Sequence, residues 1–264
     1  MYEFQYSKPS SLSAAAQAAG EDSRYLAGGQ SLVQSMRLRL ASASNLIDLA
    51  GIADLKGISR NGDAITIGAM TTHAEVASSD VVRSAIPALA ELAGGIGDQM
   101  VRNMGTIGGS LANSDPAACY PAGVLGLGAT IVTDKREIAA DDFFQGLFET
   151  ALEPGELIKA VRFPVPQKAA YVKFKQPASR FALVGVMVSQ GSAGTRVGVT
   201  GAKSCAFRAS EIESALANDF SAEALANVKL SADGINADLH GSAEYRAAMV
   251  VVMARRAVER AQAA

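Results

Sequence analysis

Apolar and polar residues alternate over residues 1–7, with Tyr2, Phe4 and Tyr6 in step, and this predicts a short strand. Pro9 and a serine-rich run open a helix whose face carries Leu12, Ala15, Ala16 and Ala19, and Gly20 closes it. Residues 24–27 predict a strand that runs into Gly28-Gly29, and residues 32–40 mix apolar and basic side chains at helical spacing. Strands are predicted over 45–49 and 64–67, the second introduced by the turn Asn61-Gly62-Asp63. Thr72 and His73 start a helix around Glu75, and residues 87–94 form another, ended by Gly94-Gly95.

The pattern then changes. Residues 94–128 carry glycine at 94, 95, 97, 105, 108, 109, 123, 126 and 128, interleaved with Met100, Val101, Ile107, Leu111, Val124 and Leu125. So much apolar content excludes a linker and predicts backbone that bends sharply and stays packed. A strand over 129–133, a short aromatic segment from Asp141 to Leu147 and a strand rising to Phe163 follow, the last ended by Pro164 and Pro166. Beyond 164–168, the best boundary, residues 171–175, 182–189 and 195–200 predict antiparallel strands. Residues 209–216, 221–228 and 243–263 predict helices, the last with Arg255, Arg256 and Arg260 near its C-terminal end, where cations suit the helix dipole. The whole predicts an α+β chain, strands first and helices in the tail.

Composition narrows the function. Hydrophobic residues make up 49% and charged residues 19%, so the chain folds into a core. Net charge is -2 and no basic block stands out, which removes electrostatic support for a nucleic-acid partner. Only Cys119, Cys205, His73 and His240 could supply nitrogen or sulfur ligands, and they are scattered. They cannot build a four-cysteine zinc site or a cysteine-ligated iron–sulfur cluster, so no metal ligand is assigned. Redox chemistry would need an organic cofactor or a partner chain. Residues 1–13 include Glu3 and Lys8 and no apolar run, no membrane span is expected, and two lone cysteines make no disulfide framework; the expected location is the cytoplasm.

Two places can hold an anion. In Leu26-Ala27-Gly28-Gly29-Gln30-Ser31-Leu32 a strand ends in two glycines and a polar pair before a helical segment, which aims successive N–H groups at one spot. An ordinary tight turn has the same signature. In Thr106-Ile107-Gly108-Gly109-Ser110, hydroxyls again flank two glycines, ahead of Asn113-Ser114-Asp115-Pro116. Neither is a Walker loop or a Rossmann fingerprint. On the residues alone, a shared dinucleotide and a pair of packed loops both stay open. His73 reads as a helix-start residue and His240 as a turn residue, so no catalytic side chain is assigned. Cys119 defaults to a buried inert thiol.

These motifs carry a resemblance. Residues 26–32 (LAGGQSL) and 102–121 (RNMGTIGGSLANSDPAACYP), with 143–157 (FFQGLFETALEPGEL) and 171–186 (YVKFKQPASRFALVGV), closely resemble the FAD-binding subunit of molybdenum hydroxylases. That family includes the medium subunit of carbon monoxide dehydrogenase-type enzymes and the flavin domain of xanthine dehydrogenase. The resemblance runs from Phe4 to the C-terminal helices. It implies a vanillyl-alcohol-oxidase-type FAD-binding domain in two α+β lobes, 1–56 and 57–167. A C-terminal α+β lobe of antiparallel strands packed with helices, 168–264, would follow. FAD would lie between the lobes. Leu26, Ala27, Gly28, Gly29, Gln30, Ser31 and Leu32 would hold its pyrophosphate, and Thr106, Ile107, Gly108, Gly109 and Ser110 would hold it from the other side. Ile158 matches an apolar cofactor contact, Ile96 a position often aromatic, and Lys175 a lysine near the flavin ring.

Two positions depart from the family pattern. Cys119 stands where relatives usually have an acidic residue contacting FAD, and Asp115 is expected to take over part of that role. Phe181 stands where some relatives have tyrosine. By resemblance the chain is the flavin subunit of a multi-subunit molybdenum hydroxylase. It would take electrons from the [2Fe-2S] clusters of a small partner onto FAD and pass them to an external acceptor. A large partner would hold the molybdenum cofactor, in a dimer of heterotrimers. A stand-alone FAD oxidoreductase of the same fold and a binding module that has lost FAD are the alternatives. The first would need a substrate lobe and a substrate base that the chain lacks. The second would not need Gly28, Gly29, Gly108 and Gly109.

Overall fold

The structure is a computed structural model that describes residues 1–192 and 194–263. It is a mixed α+β architecture built on three main sheets. Strands Gln5–Ser7, Ser23–Leu26 and Asn45–Asp48 form the first, with Asn45–Asp48 in the middle and both pairings parallel. Parallel neighbours need crossovers, and helices Leu12–Ala18 and Leu32–Arg37 provide them. Ile47, Leu49, Ile52 and Leu55 bury one side against Ala15 and Leu157.

The second sheet is antiparallel throughout, in the order Ile58–Asn61, Ala64–Gly68, Ile158–Pro164, Thr130–Thr133, Glu137–Ala139. Ile65, Ile67, Ile131, Val161 and Phe163 share one core with residues of helices His73–Ser78, Pro87–Gly94, Ile107–Asn113 and Cys119–Leu127. Helix Pro87–Gly94 begins with proline at its first turn, where the missing N–H costs nothing. A capping box between Thr72 and Glu75 starts helix His73–Ser78.

The third sheet runs Lys168–Lys175, Ala182–Gly191, Gly194–Thr200, Phe207–Arg208, again antiparallel. Its central strand is buried over most of its length because both faces are covered. Helix Ala243–Ala263 covers one face with Val250, Met253 and Ala257. Helix Cys119–Leu127, every residue of which is buried, covers the other. A β-carbon on Gly126 would stand 2.6 Å from the Met187 side chain, so glycine sets how closely helix and sheet approach.

Two expectations change. Residues 221–228 form only the single 3-10 turn Glu223–Leu225. Ala222 and Leu225 are its buried anchors, too few to hold a longer helix. The glycine-rich stretch is largely helical, because Gln99–Met104, Ile107–Asn113 and Cys119–Leu127 all form within it. The second glycine motif is therefore the first turn of a helix, not a loop. No helix among the described residues is long and apolar enough to cross a membrane.

Candidate functional site

The strand Ser23–Leu26 delivers the first motif to the carboxyl end of the parallel sheet, where open α/β sheets bind ligands. Gly29 takes φ +70°, a conformation that disfavours any side chain. The N–H of Val33 closes the turn on the Gly29 carbonyl at 3.1 Å. The N–H groups of Gly29, Gln30 and Ser31 find no acceptor among the described residues. The Ser31 hydroxyl is not used as a cap for helix Leu32–Arg37. Gln30 is held by its own amide, which donates to the Gly28 carbonyl at 3.2 Å. Three successive free N–H groups and a free hydroxyl make a receptor for an oxyanion. Leu26 and Leu32 pack beneath it with Met36 and Leu46.

The second motif is different. Thr106 caps helix Ile107–Asn113, its hydroxyl accepting from the Gly109 N–H at 3.1 Å. Ile107 donates to Thr71 O at 3.1 Å, Gly108 to Ala69 O at 2.8 Å and Ser110 to Thr106 O at 3.0 Å. All four N–H groups of residues 107–110 are thus satisfied inside the protein. This motif therefore aims no free amide at an anion. What it offers is the half-buried Ser110 hydroxyl and a surface without β-carbons. Both glycines are required for contact: a β-carbon on Gly108 would lie 2.6 Å from Ala69 Cβ, and one on Gly109 would lie 3.2 Å from Ala27 Cβ.

That last contact brings the two motifs together. Ala27 faces Gly109, and Gly28 presses on the backbone of Met104 and Gly105. The His73 N–H in turn donates to the Gly105 carbonyl at 2.9 Å. Ile158 is 4% exposed, at a register irregularity in the strand Ile158–Pro164. The carbonyl of its neighbour Lys159 accepts from Ala69 N–H at 2.8 Å, so Ile158 is tied through Ala69 to the second motif.

Helix Ile107–Asn113 ends on Ser114, whose φ of +46° is left-handed. Ser114 Oγ is buried and has no partner. Asp115 Oδ1 accepts from the Ala117 N–H at 2.8 Å. Pro116 O accepts from Gly201 N–H at 2.7 Å and from Thr200 Oγ1 at 2.7 Å, which anchors this segment to the third sheet. Cys119 follows, 5% exposed.

Sequence reading singles out Lys175, but the structure leaves Lys175 exposed and its side chain makes no hydrogen bond or ion pair among the described residues. Lys173 is the lysine that turns inward, its Nζ 3.4 Å from Cys119 Sγ. Phe181 is half exposed on the loop after it. His240 sits in an exposed turn, its N–H donating to Asp238 Oδ1 at 2.8 Å. His73 is buried beside Tyr120, ring centroids 5.3 Å apart. Burial, with the nearby Arg102 charge, lowers its pKa to about 4, so it is neutral near pH 7.

Buried polar atoms without partners test whether a cofactor fits here. His73 Nδ1, Ser114 Oγ, Tyr120 OH and Tyr171 OH are all orphaned, and such groups in a native fold call for a ligand or ordered water. Ser114 follows directly on the helix that carries the second motif. Together with the free amides of residues 29–31 it matches a dinucleotide, with an oxyanion on the first motif and polar groups beyond the second. The residues present fit FAD. Among the described residues no group of histidine, cysteine and carboxylate ligands could hold a metal.

Comparison with known proteins agrees. Residues 2–166 match the family described as the FAD binding domain in molybdopterin dehydrogenase. The carbon monoxide dehydrogenase medium chain of Afipia carboxidovorans is 39% identical, over 98% of this chain and 97% of that one. The nicotine 6-hydroxylase medium subunit of Paenarthrobacter nicotinovorans is 34% identical, over 98% and 97%. A chain in the structure of reconstituted CO dehydrogenase from Oligotropha carboxidovorans superposes with a TM-score of 0.90 at 37% identity, covering 99% of this chain and 98% of that one.

Proposed function

We propose a function from one premise: this chain belongs to the FAD-binding family of molybdopterin dehydrogenases, the medium subunits of molybdenum hydroxylases. It is the flavin subunit of a multi-subunit oxidoreductase, working beside a large molybdenum-bearing and a small [2Fe-2S]-bearing subunit. FAD, when bound, supplies the redox chemistry, accepting electrons from the clusters of the small subunit and yielding them to an external acceptor.

The chain's own residues bind and orient. The observation that carries this reading is the meeting of the two motifs at Ala27 and Gly109 beside the free amides of Gly29, Gln30 and Ser31. In our reading those amides and the Ser31 hydroxyl receive the pyrophosphate, with Leu26, Ala27, Gly28 and Leu32 shaping the floor. Thr106, Ile107, Gly108, Gly109 and Ser110 form the opposite wall. Ser114 and Asp115 offer a hydroxyl and a free carboxylate oxygen further along, and Ile158 and Lys175 complete the site. No side-chain acid or base is needed, because positioning and electrostatics are what a protein adds to a flavin.

We divide the chain into lobes at 1–56, 57–167 and 168–264, each holding one main sheet. We also propose a dimer of heterotrimers in the cytoplasm; the support is the end-to-end likeness to medium chains and the two free cysteines. Rapid mixing of the intact complex with a low-potential reductant tests the electron path. Cluster reduction followed by flavin reduction supports it. A flavin that stays oxidised while the clusters are reduced contradicts it.

A further inference from the structure

His73 opens helix His73–Ser78 and props the place where the two glycine motifs meet. Its N–H donates to the Gly105 carbonyl at 2.9 Å. Its ring lies so close that a β-carbon on Gly105 would stand 2.6 Å from Nε2. Gly105 is in turn the surface on which Gly28 lands, since a β-carbon on Gly28 would stand 2.8 Å from Gly105 Cα. The ring also meets Tyr120, centroids 5.3 Å apart and planes inclined at 49°. Contact thus runs from helix Cys119–Leu127 through His73 and Gly105 to the first motif. The second motif hangs from the same segment: Thr72 and Thr106 pair as an isolated antiparallel bridge, and Ile107 N–H donates to Thr71 O at 3.1 Å.

This place suits a neutral ring only. Nδ1 is buried without a partner, as is the Tyr120 hydroxyl. An imidazolium here would bury a charge together with an unpaired donor. The charged groups on the elements packed around it offer no counter-ion. Glu75 is bonded to the Thr72 N–H at 2.7 Å, Glu91 to Arg260 at 2.8 Å, and Asp98 accepts from Val101 N–H at 3.0 Å. Asp80 is exposed at the start of the next helix, and Arg83 donates to the Ala77 carbonyl at 2.9 Å. Cys119 and Tyr120 offer a thiol and a phenol. Arg102, half-buried on helix Gln99–Met104, is the charge that reaches the ring, and it opposes a proton there.

We propose that His73 is a positioning residue for the cofactor: its neutral ring spaces the two glycine motifs, and a proton on that ring releases the dinucleotide. The inference rests on the FAD reading above. A protonated ring must leave its buried place, and the support under Gly105, on which Gly28 rests, goes with it. Once in water the ring regains its ordinary affinity for protons. The opened form therefore gains on the closed one as pH falls. FAD affinity weakens by up to about tenfold per pH unit from 6.5 toward 4. His73 takes no part in electron transfer.

The test follows FAD released from the intact complex, by its fluorescence, from about pH 7.5 to 4.5. Far-UV circular dichroism is recorded on the same samples. In the wild type, release is expected to grow through this range while the dichroism holds. His73→Gln fills the space and takes no proton, and is expected to keep its FAD throughout. His73→Ala removes the spacer and is expected to bind FAD about tenfold more weakly already at the highest pH. Release that follows only on loss of the dichroism, or that His73→Gln shows as the wild type does, overturns this inference alone. If His73→Gln does not fold, the wild-type profile decides, and an FAD affinity that stays level as pH falls overturns the inference. A wild-type complex that carries no flavin at the highest pH overturns the flavin reading and this inference with it.

Discussion

Gly28 and Met104 are pressed together so closely that a β-carbon on Gly28 would overlap the Met104 carbonyl oxygen and stand 2.8 Å from Gly105 Cα. Both obstacles are backbone, which cannot swing aside as a side chain can. Gly28→Ala is therefore expected to destabilise the chain by about 1–3 kcal/mol and to pry the two motifs apart. Gly20→Ala, with nothing near its would-be β-carbon, should change stability by no more than about 0.5 kcal/mol. Thermal melts and the flavin-to-protein ratio check both. A Gly28→Ala protein with normal flavin content would argue against the joined motifs as the cofactor wall.

Ser114 separates binding from folding. Its hydroxyl is buried without a partner, so Ser114→Ala removes a desolvated polar group rather than a hydrogen bond. The flavin-free chain should melt at the same temperature or higher, while FAD dissociates more readily. Equal loss of stability with and without FAD would show that the hydroxyl serves the fold alone.

Thr106 makes the complementary case. Thr106→Ala removes the cap on helix Ile107–Asn113 and frees the Gly109 N–H. It is expected to cost about 1 kcal/mol in chemical denaturation, with or without FAD, because the cap is internal to the protein.

Two groups make the chain acid-sensitive in successive windows. His73 is held neutral with a pKa near 4 against an ordinary 6.5. The unfolded chain binds its proton first, so stability is complete above about pH 6.5 and falls as pH drops toward 4. Glu156 follows. Burial alone would raise its pKa, but hydrogen bonds from Arg136, the Glu153 amide and Thr133 outweigh that and bring it to about 2 from 4.5. Its contribution is present above about pH 4.5 and is lost as pH falls to 2. Denaturation midpoints from pH 8 to 3 should show a sloping upper limb that His73→Gln flattens and Glu156→Gln does not.

Much of this was readable from residues. Pro87 and Gly94 bound a helix that forms over just that range, and the apolar spacing of residues 243–263 marked the long terminal helix. The two glycine motifs were recognisable as partners, although nothing local says that Ala27 meets Gly109. The helical nature of the second motif was hidden because glycine reads as a breaker, whereas here packing on Ala69 and the Thr106 cap decide. Strand alternation puts Lys173 and Lys175 on one face. Only the register shift after Phe174 and the placement of Gly95 and Cys119 distinguish them. Ser114 left no signal at all, since an orphaned hydroxyl is visible only once its surroundings are.

The central claim is that this chain is the FAD-bearing member of a molybdenum hydroxylase. Its most direct test is the cofactor content of the complex purified through a tag on this chain. The account predicts one releasable FAD per copy, together with a cluster-bearing and a molybdenum-bearing subunit. A complex with its iron, sulfur and molybdenum in place and no flavin on this chain would contradict it.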